Sequence, residues 1–306
     1  MELNTLIVIA GPTASGKTAA AIEIAKHYNT VVVSADSRQF YREMSIGTAK
    51  PNTIELSATK HYFIDNLSIT EIFTAGDYEK ECLKLLDGLF QQHNKVILVG
   101  GSGLFIKAVC EGFDEFPDAI PGVRESLIKA LENDGMGHLQ EKLMGVDPEY
   151  YSQVDLNNSQ RVIRALEVFE STGKPYSSFR RSALNARPFQ TIKFGLNLQR
   201  ELLYRRINQR VDDMVRRGLI AEARGLLPCR HLNALHTVGY TELFDYFDGK
   251  TDLDTAIALI KQNTRRFAKR QLTWFNKEKD INWQVADNGR LIEDMITLID
   301  NLSGKN

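Results

Sequence analysis

Leu6-Ile7-Val8-Ile9-Ala10-Gly11-Pro12-Thr13-Ala14-Ser15-Gly16-Lys17-Thr18 decides the fold. The first five residues are apolar, three of them β-branched, with no polar alternation. That is the pattern of a short strand buried on both faces. Gly11 to Thr18 then match G-x-x-x-x-G-K-[ST] in full, and Ala19 to Tyr28 are good helix formers. The motif therefore has the context it needs, a strand before and a helix after. Its glycines let backbone amides turn toward an anion, and the helix N-terminus adds the positive end of its dipole. Lys17 supplies a point charge. Thr18 offers a hydroxyl to a Mg²⁺ that bridges phosphate oxygens.

Outward from this loop the pattern repeats. Val31-Val32-Val33 reads as a second buried strand and Val96-Ile97-Leu98-Val99 as a third, with helical stretches between them. Such alternation argues for βαβ units and a parallel sheet covered by helices on both faces. From Phe113 to Asp155 there are ten acidic residues against three basic, and from Leu156 to Arg187 six basic against two acidic. Both stretches read as helical. "IKFGLNL" from Ile192 reads as strand again. The expected architecture is α/β: a P-loop NTPase-like parallel sheet flanked by helices, with an all-helical insertion domain at 115–190 between core segments 1–114 and 191–306. A single continuous domain with a helical flank is the alternative.

The 306 residues are 43% hydrophobic and 25% charged, which excludes a disordered or fibrous chain. Thirty-eight basic residues against 39 acidic give a net charge of −1. A wholly basic nucleic-acid coat is excluded, but a local basic face is not. Cys82, Cys110 and Cys229 are widely spaced, so neither a disulfide framework nor a zinc site is supported, and a reducing compartment fits. Leu6 to Ala10 is far too short for a signal or membrane segment. The expectation is a cytoplasmic protein with no membrane partner, monomeric for want of an assembly motif.

The loop implies a di- or triphosphate but not nucleotide hydrolysis. No run of four apolar residues ends in an Asp that could serve as the usual second Mg²⁺ ligand; "KVILVGG" ends in glycines. Strand two ends in Ser34-Ala35-Asp36, which puts one carboxylate at the sheet edge where open α/β sheets bind ligands. Asp36 there is either a turn or cap residue or a base acting on an acceptor held opposite the phosphate loop. Gly100-Gly101-Ser102-Gly103 offers further amides at the same edge.

Two segments are cationic. Ser159 to Ser171 reads as a helix, with N-caps among Asn157, Asn158 and Ser159 and stop signals at Gly173 and Pro175. Arg161 and Arg164 share a face, and Val162, Leu166 and Phe169 form an apolar stripe. From Lys261 to Lys277 there are six basic residues and no acid. Ile260, Phe267 and Trp274 recur every seven residues and are expected to be the buried stripe of a long helix, with Arg266, Lys269 and Thr273 beside it. Either segment alone is a solvated face or an RNA-tracking one.

"GPTASGKT" (11–18), "SADSRQFY" (34–41), "GTAKP" (47–51), "GGSGLF" (100–105), "QRVIRALEVFESTGKP" (160–175), "LYRRINQRVDDM" (203–214) and "TRRFAKRQLTWF" (264–275) occur in the order seen in bacterial tRNA dimethylallyltransferases, the tRNA isopentenyltransferases or IPP transferase family. The chain resembles that family over almost its whole length. The P-loop is shared with many enzymes, whereas the QRxxR and AKRQxTWF segments are far more specific.

The resemblance implies transfer of a dimethylallyl group from dimethylallyl diphosphate to the N6 amine of the adenosine 3′-adjacent to the anticodon, in tRNAs reading codons that begin with U. The partners it implies are that donor and the tRNA anticodon stem-loop, with Mg²⁺ as cofactor. By position, Asp36 corresponds to the general base and heads the stretch Asp36, Ser37, Arg38, Gln39 that meets the target nucleotide. Gly11, Pro12, Thr13, Ala14, Ser15, Gly16, Lys17 and Thr18 would hold diphosphate, Thr18 also the metal. Ser102, Arg124 and Arg210 fall at positions near the catalytic centre. The tRNA-contacting segments correspond to Gln160, Arg161, Val162, Ile163 and Arg164; to His236, Thr237, Val238, Gly239, Tyr240 and Thr241; and to Lys269, Arg270, Gln271, Leu272, Thr273, Trp274, Phe275 and Asn276.

Some positions depart from the family pattern: Ser102 for the commoner Thr, Phe105 and Phe267 for frequent Tyr, Gly76 for Ala, and Thr241 for a basic or amide residue. The competing readings are a P-loop small-metabolite kinase using ATP, with Asp36 as base, and a non-catalytic RNA-binding nucleotide switch.

Overall fold

The computed structural model describes residues 3–114, 116–180 and 186–303. Contacts divide the chain into two compact units, 1–111 with 187–306, and 112–186. Glu115, the expected first residue of the insertion, lies outside the described residues. Gln190, its expected last residue, instead opens a strand of the first unit.

The first unit is built on six parallel strands: β1 (Thr5–Ala10), β2 (Val32–Ser34), β3 (His61–Tyr62), β4 (Lys95–Gly100), β5 (Gln190–Asn197) and β6 (Ile281–Val285). Their spatial order is β3-β2-β4-β1-β5-β6. Ile7 pairs with Ile97 on one side and Ile192 on the other, so the strand that feeds the phosphate loop is central. Period-two packing explains the uninterrupted apolar text. Leu6, Val8 and Ala10 enter one core with Val33, Val96 and Leu98. Ile7 and Ile9 enter the other with Val32, Ile97, Ile192 and Phe194.

The helix Lys17–His27 closes the second core through Ala20, Ala21, Ile24 and Ala25, together with Met295 and Ile299 of the helix Leu291–Ser303. The helix Ala75–Leu89 covers the first core with Tyr78, Cys82, Leu86 and Leu89. Leu98 is fully buried; cutting it to Ala would cost roughly 2–5 kcal/mol, the usual range for a core cavity. Among the described residues no helix is long and apolar enough to cross a membrane.

The second unit is helical. Its long helix Val123–Val146 breaks at Gly135 (φ 80°), and it packs with Ser159–Thr172 around Leu127, Leu139, Leu143, Val162, Ile163 and Leu166. Asn158 caps the Ser159–Thr172 helix by accepting from the Arg161 amide, and Gly173 ends it in a left-handed conformation. Both signals were legible in the sequence. Buried Asp147 accepts from the Tyr150 amide at 3.0 Å and the Ser177 amide at 2.8 Å, fixing the next turn.

Candidate active site

The site forms where β1, β2 and β4 end. Gly11 has φ 146° and Gly16 φ 95°. A Cβ on Gly11 would lie 2.6 Å from the Leu196 carbonyl oxygen of β5, whereas space around Gly16 is open. The first glycine therefore allows close strand packing and the second leaves the cradle clear. Ala14 takes the left-handed region without being glycine (φ 64°), and the buried Ser15 hydroxyl has no hydrogen-bond partner. Such departures from ordinary backbone and polar satisfaction cluster at functional loops.

A cavity of about 540 Å³ opens beside this loop, lined among others by Lys17, Thr18, Asp36, Gln39, Ser102 and Arg210. A second, of about 340 Å³, takes in Gly16, Arg206 and Arg217. Lys17, Thr18, Ala49, Pro51, Arg210 and Met214 line both, so the phosphate loop is the wall at which the two spaces meet.

Lys17 donates to the Pro12 carbonyl at 2.6 Å. Burial, then the neighbouring Arg210, lower its pKa to about 7, while Asp36 works in the opposite direction. Burial also lowers Arg210, with Asp36 again opposing. Arg210 comes from the helix Arg200–Arg216 and donates to Thr13 Oγ1 at 3.4 Å and to the Ala49 carbonyl at 3.3 Å. Among the described residues these two basic groups have no anion as a hydrogen-bond partner; Asp36, and for Arg210 also Glu55, oppose their charge only through the field. That is the electrostatic preparation of an anion site.

Asp36 is not a helix cap. Its Oδ1 accepts from the Arg38 amide at 3.1 Å, an Asx turn after β2. Ser102 Oγ accepts from the Ser37 amide at 3.1 Å, so the Gly100–Gly103 turn braces the Asp36 turn. The Ser102 amide is not free, as its position in a glycine-rich turn suggested, but donates to the Ala35 carbonyl. Gln39 Nε2 reaches the Thr48 and Ala49 carbonyls, each at 3.3 Å.

His236, Thr237, Val238, Gly239, Thr241 and Arg270 line the larger cavity. Several residues of the expected RNA face do not reach solvent. Tyr240, Gln271 and Phe275 are buried in the first unit, and Val162 and Ile163 in the second. Their side chains anchor the segments expected to meet RNA and are not themselves presented on the surface. Gln271 accepts from the Thr13 amide at 2.8 Å and donates to the Gly101 carbonyl at 2.9 Å. Lys269 and Thr273 are exposed, Leu272 and Trp274 half-buried, and Asn276 is the C-terminal cap of the helix Leu253–Phe275.

The seven-residue stripe is corrected. Phe267 is 39% exposed and lines the cavity, and the buried positions are Ala256, Ile260, Ala268, Gln271 and Phe275. Ile260 is buried and Trp274 is half-buried against the first core, so only Phe267 leaves the stripe, at the point where that face of the helix borders the cavity instead of packed side chains.

In the second unit Arg124 Nη2 donates to Gln160 Oε1 at 2.6 Å, and Arg164 pairs with the buried Glu167 at 2.7 Å and faces the Phe116 ring at 5.6 Å. Arg161 is exposed on the same helix. Sequence reasoning missed Glu222, Glu242 and Asn263. Glu242 Oε2 takes the Gly239 amide at 2.8 Å, its Oε1 takes Asn263 Nδ2 at 2.7 Å, and Glu222 binds four donors described below. An acid on a helix face carries no sequence signal that distinguishes it from a solvated one.

Known proteins resemble this chain in sequence and in fold. Residues 39–278 match the IPP transferase family model. The chain is 53% identical to a tRNA dimethylallyltransferase of Christiangramia forsetii, covering 96% of this chain and 97% of that one. A tRNA dimethylallyltransferase of Cytophaga hutchinsonii is 50% identical with 91% of each covered. The crystal structure of a full-length tRNA isopentenylpyrophosphate transferase from Bacillus halodurans superposes with a TM-score of 0.74 at 36% identity, covering 99% and 97% of the two chains. A eukaryotic dimethylallyltransferase acting on tRNA shares the fold, with a TM-score of 0.81 at 24% identity over 99% of this chain and 80% of that one. On its sequence over nearly its whole length, the chain belongs to the IPP transferase family, that of the tRNA dimethylallyltransferases.

Proposed function

We propose that this protein transfers the dimethylallyl group of dimethylallyl diphosphate to the N6 amine of the adenosine 3′-adjacent to the anticodon, in tRNAs reading U-initial codons, and releases diphosphate. The observation that carries the reading is the pair of cavities meeting at Lys17, Thr18 and Arg210, with Asp36 on the larger one. Donor and acceptor can then approach the same wall from different spaces.

The N6 amine is a weak nucleophile because its lone pair is delocalised into the ring, but alkylation makes it acidic. As the C–N bond forms, the allylic C–O bond breaks, diphosphate leaves and Asp36 takes the N6 proton. A base so placed contributes about 10²–10⁴-fold. Lys17, Arg210 and the loop amides stabilise charge on the leaving diphosphate. Thr18 would hold Mg²⁺, which supplies charge neutralisation at the phosphate oxygens. The donor set fits that ion: Thr18 lines both cavities, and Mg²⁺ favours phosphate oxygens, water and one or two protein oxygens over an all-protein cage.

The adenine is unreachable inside a stacked loop, so it is swung out into the larger cavity, where Ser37, Arg38 and Gln39 meet it. Ser102 braces that turn. His236 to Gly239, Thr241, Lys269, Arg270 and Thr273 track the anticodon loop from the first unit, Gln160 and Arg161 contact tRNA from the insertion, and Arg124 keeps the place near the catalytic centre that its position in the family implies. The protein acts as a monomer in the cytoplasm.

The direct test is mass spectrometry of tRNA nucleosides after incubation with protein, Mg²⁺ and dimethylallyl diphosphate. The expected product is N6-dimethylallyladenosine at the position after the anticodon. Unmodified nucleosides, or ATP turnover without RNA, would overturn the proposal, the latter in favour of a kinase.

A further inference from the structure

We propose that Glu222 is a positioning residue that sets the loop 44–50 and, through it, Arg210 and Gln39; the inference rests on the function proposed above. Glu222 lies on the short helix Leu219–Leu226 and forms no part of the phosphate loop, the Asp36 turn or the cationic helices. Its Oε2 accepts from the Ser45 amide at 3.0 Å and the Ile46 amide at 2.8 Å. Its Oε1 accepts from the Gly47 amide at 2.9 Å and the Tyr240 hydroxyl at 2.7 Å. Three successive amides converging on one anion form a backbone nest. Here the anion is the protein's own carboxylate.

The loop so gripped reaches the site directly. Gly47, Thr48, Ala49 and Pro51 line the larger cavity, and Ala49 and Pro51 line the smaller as well. The Ala49 carbonyl accepts from both Gln39 Nε2 and Arg210 Nη2, each at 3.3 Å. Ala49 sits in the left-handed region (φ 51°) without being glycine, a conformation that persists only where its surroundings over-determine it. On the far side the Tyr240 ring closes the grip: a Cβ on Gly47 would lie 2.6 Å from that ring. All four donors that Glu222 binds belong to segments bordering the cavity. An acid serving only helix stability would have no need to bridge them.

Both carboxylate oxygens are used, so the amide of Glu222→Gln turns one acceptor into a donor facing an N–H or O–H. Shape is kept while half the grip becomes repulsive. Glu222→Asp keeps both acceptors on a shorter stem. The test compares wild type, Glu222→Gln and Glu222→Asp by calorimetric binding of inorganic diphosphate with Mg²⁺, by steady-state transfer kinetics, and by anticodon stem-loop affinity. In Glu222→Gln, diphosphate affinity and kcat should each fall tenfold or more, a larger loss than that in stem-loop affinity; Glu222→Asp should lie nearer wild type on both.

Diphosphate binding and kcat within threefold of wild type in Glu222→Gln would overturn the proposal. So would equal losses in the two variants that track only the folded fraction. If Glu222→Gln does not fold, Gly47→Ala perturbs the same loop from the Tyr240 side. It should weaken diphosphate binding likewise, and unchanged binding there overturns the proposal too. A wild type that binds diphosphate but transfers nothing sinks the proposed function and leaves the grip standing; a wild type that transfers, with Glu222→Gln unaffected, sinks the grip alone.

Discussion

The main-chain nitrogen of Thr13 donates to Oε1 of Gln271 at 2.8 Å, although 258 positions separate them. The same amide group donates from Nε2 to the Gly101 carbonyl at 2.9 Å. One buried side chain of the Leu253–Phe275 helix thus ties the phosphate loop after β1 to the turn after β4. The resemblance to relatives placed Gln271 on the RNA; the fold makes it a strut beneath the site.

Gln271→Leu removes both bonds and leaves the half-buried Thr13 N–H and the buried Gly101 carbonyl unpaired. Each unpaired group costs about 1–3 kcal/mol. A lower urea midpoint is expected, together with weaker diphosphate binding. An unchanged midpoint would reject the strut.

Asp36→Asn keeps the shape of the turn, because the amide oxygen can still accept from the Arg38 amide, but it removes the proton acceptor. Transfer should fall by about 10²–10⁴-fold while tRNA affinity changes little. Single-turnover rates within tenfold of wild type would show that another group takes the proton.

Arg161 and Arg164 share a helix but not a setting. Arg161 is exposed, whereas Arg164 is held by Glu167 at 2.7 Å and lies over Phe116. Arg161→Ala should reduce the slope of log affinity against log salt by about 0.7–0.9 for one lost phosphate contact. Arg164→Ala should lower the thermal midpoint instead, because Glu167 is left buried without that partner. Equal effects of the two on the salt slope would contradict this division.

With Lys17 lowered to about 7, the free site loses a positive charge as pH rises through neutrality, and a bound diphosphate draws the proton back. Donor affinity should therefore weaken between pH 7 and 9, by at most tenfold per unit. Binding in that window should take up protons, seen as a dependence of binding heat on the buffer's ionisation enthalpy. Lys17→Ala should abolish that uptake. Linkage has the matching sign in the free protein. Between about 7 and the ordinary lysine value near 10.5 the unfolded chain binds the extra proton, so this group makes stability rise with pH across that interval.

Several elements were legible because local rules and the global fold agree. β1, β2 and β4 read as apolar runs since helices cover both sheet faces, whereas β5 carries the buried Lys193, held by Glu111 and Asp280. The phosphate loop reads from its own spacing, and the Ser159–Thr172 helix from its cap and stop residues. The edge strands β3 and β6 are different. Burial in β6 is only partial, from Ile281 to Val285, and β3 is two residues long, so neither leaves a hydrophobic run.

What the amino-acid sequence determined alone was the sheet's central strands, the anion cradle and the family, because each is written in neighbouring residues whose chemistry is complete within one segment. The tertiary structure alone decided that Gln271 faces inward, that Phe267 faces the cavity and that Glu222 grips the Ser45–Gly47 amides. Those roles depend on partners brought from distant segments. No residue carries that information in its own identity.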